Sequence, residues 1–406
     1  MGSSAPLRVA VVGSGIGGLT VAIALQARGF DVEVYDQASE LTAIGSGVSV
    51  GANGLRLLDR IGLGEPLRQV SSDLQRIQFH HWQTGEIFHE HPMGDWYAQK
   101  FGAAFLGVHR ADFHDVLLDR FDGIPRLGHR CVAVHETPDW VELEFANGTT
   151  ARADVVIGAD GLRSAVREHV AGPDEAVFSA MSCFRGLVPT DKVPGGDAFG
   201  LTFFLGPNRH MVAYPVRGGE LVNFVAYVPG PEWTEESWSA KSSTAEAVAV
   251  FEGWNDTVTT LLSNTEEIGR WALYDREPLR KWGTDRVTLL GDAAHPMLPH
   301  AGQGSNQAIE DAHVLAGVLG GDLPIATALQ RYEQLRRPRT RQIQMGSRAN
   351  VACYQVPDGA PAEARNARLA ALPDNVGWIH GYDAEDAVQE AIKGSVQEAV
   401  KEDAPA

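Results

Sequence analysis

Three glycines, spaced as Gly13-x-Gly15-x-x-Gly18, have the residue type and spacing of a phosphate-binding turn. In such a turn the first glycine permits a tight bend, the second lets the backbone approach a pyrophosphate, and the third lets a helix pack closely against a strand. The free N–H groups and partial positive charge at the start of that helix attract the phosphates. Asp36 follows about twenty residues later, where a carboxylate accepts hydrogen bonds from ribose hydroxyls and repels a 2′-phosphate. Together these residues predict a dinucleotide site.

The elements that must position these residues form a strand–helix–strand unit. Residues 7–12 are predicted as a buried strand, 19–28 as a helix and 31–36 as a second, alternating strand. Two later segments, 154–160 and 286–292, repeat the form of a hydrophobic strand that ends in a glycine and an aspartate. We expect both to join the first strand in one parallel sheet and to place polar residues at its carboxyl edge.

The middle of the chain has a different residue composition. Four runs, 184–189, 199–205, 210–216 and 221–228, are rich in β-branched and aromatic residues, and residues 216–221 predict a hairpin turn. The predicted fold class is therefore α/β, with a discontinuous Rossmann-like domain, an inserted and mostly antiparallel β-sheet domain, and C-terminal helices. A ligand is expected in the crevice between the two domains.

The predicted boundaries follow from these patterns. The dinucleotide-binding domain comprises residues 1–75, 100–182 and 270–355, the inserted substrate domain comprises 76–99 and 183–269, and a helical segment comprises 356–406. Helices are predicted at 308–319 and 324–344. The acidic tail from residue 383 is predicted to be a helix with no recognisable chemistry.

Composition limits the classes of function. The chain has 406 residues, 44% of them hydrophobic, and its 52 acidic and 34 basic side chains give a formal net charge of −18. This balance argues against disorder, and an acidic surface repels nucleic acid and anionic lipid, so a small ligand is the expected partner. The three cysteines, Cys131, Cys183 and Cys353, are too far apart for a disulfide framework or a paired-cysteine metal site. We therefore expect a cytoplasmic protein without a metal site.

Two further motifs identify the dinucleotide. Residues 158–167 and 291–312, taken with the glycine turn, resemble the signatures of the group A flavoprotein aromatic hydroxylases, in the same order and over most of the chain. The resemblance implies that the discontinuous domain binds FAD and that NADH or NADPH supplies the electrons. It also implies hydroxylation by O2 through a flavin C4a-hydroperoxide.

The resemblance assigns cofactor-binding roles to residues outside the first turn. Asp292 is expected to accept hydrogen bonds from ribityl hydroxyls, and backbone amides from 302 to 306 are expected to face the flavin pyrimidine edge. A helix cap and a surface ion pair would also explain Asp160 and Arg163. Residues 45–51 resemble a glycine-rich loop beside the flavin, which the small residues would allow to swing. The predicted set beyond the first turn is Gly47, Val48, Arg110, Asp160, Arg163, Gly291, Asp292, Gly302, Gln303, Gly304, Ser305 and Asn306.

The predicted substrate-binding residues begin with His210 and Tyr214 on one strand. At period two they share a face and lie about 13 Å apart, so they could address opposite ends of one aromatic ligand. An ordinary half-buried strand would carry the same spacing. The pair resembles one that contacts the substrate in 3-hydroxybenzoate 6-hydroxylases and 6-hydroxynicotinate 3-monooxygenases.

Pro299 and His300 complete the predicted catalytic set. Pro299 resembles a proline whose carbonyl lies over the flavin, and Pro-His at this place resembles both hydroxynicotinate and salicylate hydroxylases, although a histidine that caps the loop would look the same. No single subfamily fits throughout. Ser49 replaces a histidine of the hydroxynicotinate enzymes, Pro299 replaces a glutamine of the 3-hydroxybenzoate enzymes, and the salicylate enzymes lack His210. The basic run 335–341 also occurs in salicylate hydroxylases, but a basic helix end that complements the helix dipole would explain it.

The sequence therefore predicts an FAD-dependent monooxygenase, acting as a monomer or homodimer on a small phenolic or hydroxy-heteroaromatic acid, with or without loss of the carboxylate. A phenol becomes a better nucleophile when a nearby base takes or shares its proton, and His or Tyr can supply that base. The alternatives are an oxidoreductase or epoxidase with a non-aromatic substrate, and a non-enzymatic flavin-binding sensor. A halogenase is disfavoured because residues 237–239 only approach the Trp-x-Trp-x-x-Pro segment of that class.

Overall fold

The computed structural model describes residues 6–41, 46–230 and 240–402. Within them the strands are β1 (Arg8–Val12), β2 (Asp31–Tyr35), β3 (Gly47–Val50), β4 (Ser71–Asp73), β5 (Arg76–His81), β6 (Ile87–Pro92), β7 (Leu106–His109), β8 (Cys131–Glu136), β9 (Val141–Phe145), β10 (Thr150–Ala153), β11 (Val155–Gly158), β12 (Val177–Pro189), β13 (Leu201–Gly206), β14 (Arg209–Val216), β15 (Leu221–Pro229), β16 (Ala240–Lys241), β17 (Gly269–Asp275) and β18 (Val287–Leu289). The helices are α1 (Ile16–Gln26), α2 (Ala52–Arg60), α3 (Gly64–Gln69), α4 (Gly94–Phe101), α5 (Arg110–Arg120), α6 (Ala165–Ala171), α7 (Thr244–Val250), α8 (Asp256–Ser263), α9 (Gly304–Leu319), α10 (Ile325–Tyr354), α11 (Ala360–Ala370), α12 (Leu372–Asn375), α13 (Gly377–His380) and α14 (Ala384–Glu402).

The first sheet contains the strands that the glycine and aspartate motifs predicted. Its order is β18-β11-β1-β2, and all three pairings are parallel. The inner strands are nearly continuous runs of buried aliphatic residues, as expected when helices cover both faces. α1 begins at Ile16, three residues earlier than predicted, because Gly17 and Gly18 are already helical. This sheet and its helices confirm the predicted α/β fold class.

The second large sheet has eight strands in the order β16-β17-β12-β15-β14-β13-β5-β6. Its neighbours are antiparallel except for β13 and β5, and Val216 pairs with Leu221 across the predicted hairpin. Alternation along β14 divides the sheet into two faces. Met211 and Ala213 belong to a core with helices α7 and α8, while His210 and Tyr214 face the opposite side.

Two long helices differ from their predicted bounds. α9 begins at Gly304, and α10 extends to Tyr354, ten residues beyond its predicted end. The basic run 335–341 therefore lies inside a helix, so its interpretation as a helix end is wrong. Arg336 and Arg339 are instead buried against Glu310 of α9.

The C-terminal helices pack against both parts of the molecule. α14 lies against α9, and a methyl group on Gly317 would come within 2.7 Å of Val388 Cγ1. Helices α11 to α13 contribute side chains to the central cavity described below. Across the described ranges, each helix is too short or too polar to be a candidate membrane span.

Candidate active site

A cavity of about 1180 Å³ extends from the carboxyl edge of the parallel sheet to the inner face of the eight-stranded sheet. This volume exceeds the ~300–1,000 Å³ of ordinary ligand pockets, which suits a dinucleotide together with a second small molecule. Most of the predicted site residues line it: Gly13, Gly15, Asp36, Gly47, Val48, Arg110, Asp160, Arg163, His210, Tyr214, Gly291, Asp292, Pro299, His300, Gly302, Gln303, Gly304 and Ser305. Gly18 and Asn306 are not among the lining residues. Ligand binding by each lining residue stays a prediction.

The three glycines of the first turn have different physical roles. Gly13 has a φ of +107°, and a methyl group there would lie 2.3 Å from the carbonyl oxygen of Ala159. A methyl group on Gly18 would lie 1.9 Å from the carbonyl oxygen of Gly13, so Gly18 allows α1 to pack against the turn. A methyl group on Gly15 would meet no atom within 4 Å. The second glycine thus leaves open the space through which a pyrophosphate would approach the helix amino terminus.

Asp36 is held at the end of β2 by the glycine turn. Its Oδ2 atom accepts hydrogen bonds from the backbone N–H and the hydroxyl of Ser14, each at 2.7 Å, and Oδ1 accepts from the N–H of Ala38 at 2.8 Å. The carboxylate is half-buried and lines the cavity. These bonds fix its position beside the turn, where the predicted ribose would lie.

The Asp160 carboxylate bonds to residues that follow it closely in the sequence. It accepts hydrogen bonds from the Ser164 hydroxyl and from the N–H of Ala165 at 2.8 Å, so it caps α6 together with Ser164. Burial raises its pKa, and these hydrogen bonds oppose the rise. The geometry favours the helix-cap interpretation of Asp160, whereas Arg163 is exposed and lines the cavity.

Asp292 and Arg110 place opposite charges on the cavity wall. Burial raises the pKa of Asp292, while His295 and Arg110 lower it; burial lowers the pKa of Arg110, and Asp292 opposes that change. Among the described residues, the Asp292 carboxylate has no hydrogen-bond or ion-pair partner of its own. Arg167 holds the following turn by donating to the carbonyl oxygens of Ala293 and Ala294 at 3.0 and 3.2 Å. Because the described residues give its carboxylate no partner, both Asp292 oxygens can accept hydrogen bonds from ribityl hydroxyls.

The turn before α9 and the first residues of α9 leave backbone open to the cavity, while the Asn306 side chain is fully bonded within the protein. Gly302 has a φ of +60°, and Gly304 and Ser305 line the cavity. The Asn306 amide instead donates to the carbonyl oxygens of Ser49 and Gly302, each at 3.0 Å, and accepts from the N–H of Gly51 at 2.9 Å. These side-chain bonds tie α9 to β3. That the backbone amides from 302 to 306 face the flavin stays a prediction.

The glycine-rich segment beside the expected flavin is a strand for most of its length. Gly47–Val50 forms β3, which pairs with β7, so the prediction of a loop is wrong there; Gly45 lies outside the described residues. The β-branched Val48 and Val50 favour extended backbone. The Gly47 N–H donates to Asn223 Oδ1 at 2.6 Å, which joins this strand to the eight-stranded sheet.

The inner end of the cavity contains a cluster of stacked rings. The His210 ring stacks on Tyr227 with centroids 4.3 Å apart, and His300 lies 4.6 Å from Tyr227 and 5.3 Å from His210. Gln355 donates to His210 Nδ1 at 3.0 Å. His210 Nε2 and both ring nitrogens of His300 are buried without a partner in the described structure. Three imidazole nitrogens can therefore bond to a ligand.

Tyr214 lies at the other end of the same strand face. A methyl group on Gly47 would come within 2.7 Å of its hydroxyl oxygen, so this phenol lies beside β3. Burial raises the pKa of Tyr214, and Arg185 opposes the rise. Tyr214 is thus a protonated hydrogen-bond donor at neutral pH, at the end of the strand where the flavin is expected.

The buried histidines should make folding stability depend on pH. Burial lowers the pKa of His300 to about 3, so between that value and about 6.5 only the unfolded chain binds this proton. Stability is then fully present above about pH 6.5 and falls with acidification by up to ~1.4 kcal/mol per pH unit for this residue. Urea unfolding of wild type and His300→Asn between pH 7 and 4 should show a shallower decline in the variant. Equal slopes would contradict the assignment, and His135→Asn, at an exposed histidine, is the control.

Several cavity residues were missed by the sequence reasoning. Arg185 on β12, Tyr227 on β15 and Trp271 on β17 line the cavity, as do Arg368 and Trp378 from the C-terminal helices. The period-two alternation of the strands could have found the first three, because each has the parity of a cavity-facing position. No signal in the sequence indicated that the C-terminal helices reach the cavity.

The fold and the cavity define a flavin-binding enzyme. The chain matches the FAD binding domain family over residues 6–347, and it belongs to that family. The glycine turn and the open space at Gly15 fit an FAD pyrophosphate. Within the family the chain is a group A aromatic hydroxylase, an FAD-dependent monooxygenase, as the motifs predicted.

Several named proteins are similar to this chain over most of their length. It is 42% identical over 382 residues to 3-amino-4-hydroxybenzoate 2-monooxygenase PtmB3 of Streptomyces platensis, covering 93% of this chain and 96% of the relative. It is 37% identical to 6-hydroxynicotinate 3-monooxygenase of Pseudomonas fluorescens, covering 85% and 91%. A salicylate hydroxylase–substrate complex superposes with a TM-score of 0.83 at 31% identity, covering 96% of this chain and 99% of that one.

Proposed function

We propose that this enzyme uses NADH or NADPH and O2 to hydroxylate a small aromatic hydroxy acid, with 3-amino-4-hydroxybenzoate as the first candidate. The observation that carries the proposal is the inner cluster, where the ring nitrogens of His210 and His300 that have no partner in the described structure lie among aromatic side chains. The names of the relatives at 38–42% identity support the aminohydroxybenzoate. Ser49, in place of the histidine expected of hydroxynicotinate enzymes, makes 6-hydroxynicotinate a weaker candidate.

The geometry suggests how the chain would treat a phenolic ring. Bound FAD would supply the chemistry that activates oxygen. A neutral imidazole at His300 would accept the hydrogen bond of the substrate hydroxyl and so increase the electron density of the ring. His210, whose Nδ1 accepts from Gln355, would instead donate a hydrogen bond to the ligand from Nε2. Because burial lowers the pKa of His300, sharing of the substrate proton with this imidazole is favoured over full proton transfer. The enclosing rings of Tyr227 and Tyr354 would keep water from the reacting carbon.

The cofactor roles of the lining residues belong to the same proposal. Gly15 and the amino terminus of α1 would hold the pyrophosphate, Asp36 the ribose, and Asp292 the ribityl chain. Location in the cytoplasm is likewise proposed, supported by the three free cysteines Cys131, Cys183 and Cys353, which suit a reducing compartment.

A substrate screen with labelled oxygen tests the activity. Purified protein would be mixed with NADH or NADPH and, in turn, 3-amino-4-hydroxybenzoate, salicylate, 3-hydroxybenzoate or 6-hydroxynicotinate under ¹⁸O₂. We expect one acid to stimulate nicotinamide oxidation and to gain one labelled oxygen atom. Stoichiometric hydrogen peroxide with no labelled product from any acid would refute the hydroxylase proposal.

Two variants test the strand that carries His210 and Tyr214. We expect His210→Asn and Tyr214→Phe to weaken substrate binding by roughly tenfold each, the effect of one lost hydrogen bond, and to release more peroxide per product. Flavin content should stay at the wild-type level, because neither change touches the glycine turn. His135→Asn is the control, since that histidine is exposed and pairs with Glu144. Unchanged coupling in both variants would leave the strand a purely structural role.

A further inference from the structure

Arg185 is a cavity residue whose charge has no counter-ion among the described residues. It extends from β12, is half-buried and lines the cavity. Its Nε atom is buried without a hydrogen-bond acceptor, and in the described part of the chain no ion pair joins its guanidinium to a carboxylate. A guanidinium stays protonated in proteins, so this site holds a permanent positive charge.

The two most deeply buried arginines of the described residues are paired. Arg167 forms an ion pair with Asp174 at 2.6 Å, and Arg336 pairs with Glu310 at 2.5 Å and Asp311 at 2.7 Å. Desolvating a charge without a partner is unfavourable, so an unpaired cation in a cavity needs an explanation. Arg185 also contacts Trp271, whose ring centroid lies 5.5 Å from the guanidinium carbon. This contact orients the cation but leaves its charge uncompensated.

The strand register gives the direction in which Arg185 points. Arg185 pairs with Val225 on β15, and Val225 pairs with Val212 on β14, so these residues form one row across the sheet. All three line the cavity. Val212 lies between His210 and Tyr214 on their shared face, about 10 Å from the backbone of Arg185 at two strand spacings. The row therefore leads from the cation to the position between the two predicted substrate-binding residues.

The two valines give this row an apolar floor. A benzene ring that lay on Val225 and Val212 would have one edge toward the rings of the inner cluster and another toward Arg185. A carboxylate on that second edge would meet a planar donor, which can bind both oxygens at once. The arrangement thus fits the two features that distinguish the proposed substrates, a ring hydroxyl and a carboxylate.

We propose that Arg185 binds the carboxylate of the aromatic substrate and so selects acids over their neutral analogues. The inference rests on the proposed function, because it assumes an aromatic ligand between His210 and Tyr214. It assigns Arg185 a role in specificity, separate from the reacting atoms.

Calorimetric titration with a charged and an uncharged ligand tests the inference. The probes are 3-amino-4-hydroxybenzoate and 3-amino-4-hydroxybenzamide, with salicylate and salicylamide as a second pair. For Arg185→Gln we expect the Kd of the acid to rise roughly 10- to 100-fold and that of the amide to change by less than about threefold. Arg185→Lys should keep part of the preference for the acid, since it keeps the charge but loses the planar donor.

Arg209→Gln is the matched control. It makes the same change of charge on β14 of the same sheet, but Arg209 donates to the Val250 carbonyl and does not line the cavity. We expect its ratio of acid to amide affinity to equal that of wild type. Thermal unfolding of ligand-free Arg185→Met provides a second readout, because removal of a half-buried cation that has no counter-ion among the described residues should leave stability unchanged or higher.

The outcomes separate this inference from the proposed function. If the acids bind wild type and Arg185→Gln weakens acid and amide equally, the carboxylate assignment is wrong while the proposed function stands. If Arg185→Gln instead loses its visible flavin absorbance and keeps the preference for acid, the cation serves the cofactor and the inference fails. If none of the acids binds wild type, the proposed function itself fails.

Discussion

Replacement of Gly15 by tryptophan should give a folded protein that contains no FAD and has no activity. Gly15 precedes α1 in extended backbone, with a φ of −69°, and a side chain there would project into the cavity, since a β-carbon meets no atom within 4 Å. The indole would fill the space that the pyrophosphate needs. We expect FAD affinity to fall by more than about 100-fold. Visible absorbance per protein chain and near-UV circular dichroism measure the two parts of this expectation.

Three comparisons make the result specific. Gly15→Ala should keep its flavin in large part, because a methyl group still leaves space. Gly18→Ala should instead destabilise the fold, because its methyl group would lie 1.9 Å from the Gly13 carbonyl oxygen. Bound FAD itself stabilises the native state, so Gly15→Trp is to be compared with wild type stripped of FAD. A yellow Gly15→Trp protein with normal FAD content would overturn the assignment of this turn to the pyrophosphate.

The sequence predicted the parts of the fold that depend on local pattern. The strand–turn–helix at Gly13 to Gly18 is specified within about thirty residues, because hydrophobic periodicity and glycine chemistry act locally. The alternation of β14 likewise placed His210 and Tyr214 on one face before the partner strands were known. Their common face needed no information from elsewhere in the chain.

Contacts between distant segments could not be predicted from local sequence patterns. Asn306 belongs to the motif whose backbone amides are predicted to face the cofactor, and its side-chain amide bonds to Ser49 and Gly51, more than 250 residues away. Arg185 required the register of three strands before its distance from Val212 could be known. The roles of both residues depend on tertiary pairing, which a single sequence does not encode in any short pattern.

The buried arginines of α10 illustrate the same limit on helices. In sequence, Arg336 and Arg337 are neighbouring cations and look equivalent. In the structure Arg336 is fully buried between Glu310 and Asp311, while the Arg337 side chain is 40% exposed. Which of the two faces the core depends on where α10 lies against α9.

Arg336→Met should therefore be among the most destabilising single changes in the chain. Its guanidinium donates to Asp311 Oδ1 at 2.7 Å, to Glu310 Oε2 at 2.5 Å and to Gln307 Oε1 at 2.7 Å, all in a region without solvent. Removal of one member of a buried charge cluster leaves uncompensated carboxylates and typically costs about 3–5 kcal/mol. Arg339 still pairs with Glu310. The Asp311 carboxylate therefore loses the larger share of its stabilising charge contacts, although it also contacts His295 at 2.5 Å.

Equilibrium unfolding in urea measures this effect directly. Arg337→Met is the matched control, because its exposed ion pair with Glu333 should contribute less than about 1 kcal/mol. Arg336→Met leaves the Asp311 carboxylate buried in a low dielectric without its arginine partner. If this unpaired charge causes the loss, the double variant Arg336→Met/Asp311→Asn should recover part of the lost stability, because it also removes that carboxylate. A double variant less stable than the sum of the two single losses would show that packing, and not charge, dominates. α9 begins at residues that line the cavity. Loss of stability at the Arg336 cluster should therefore loosen α9 and also lower FAD occupancy.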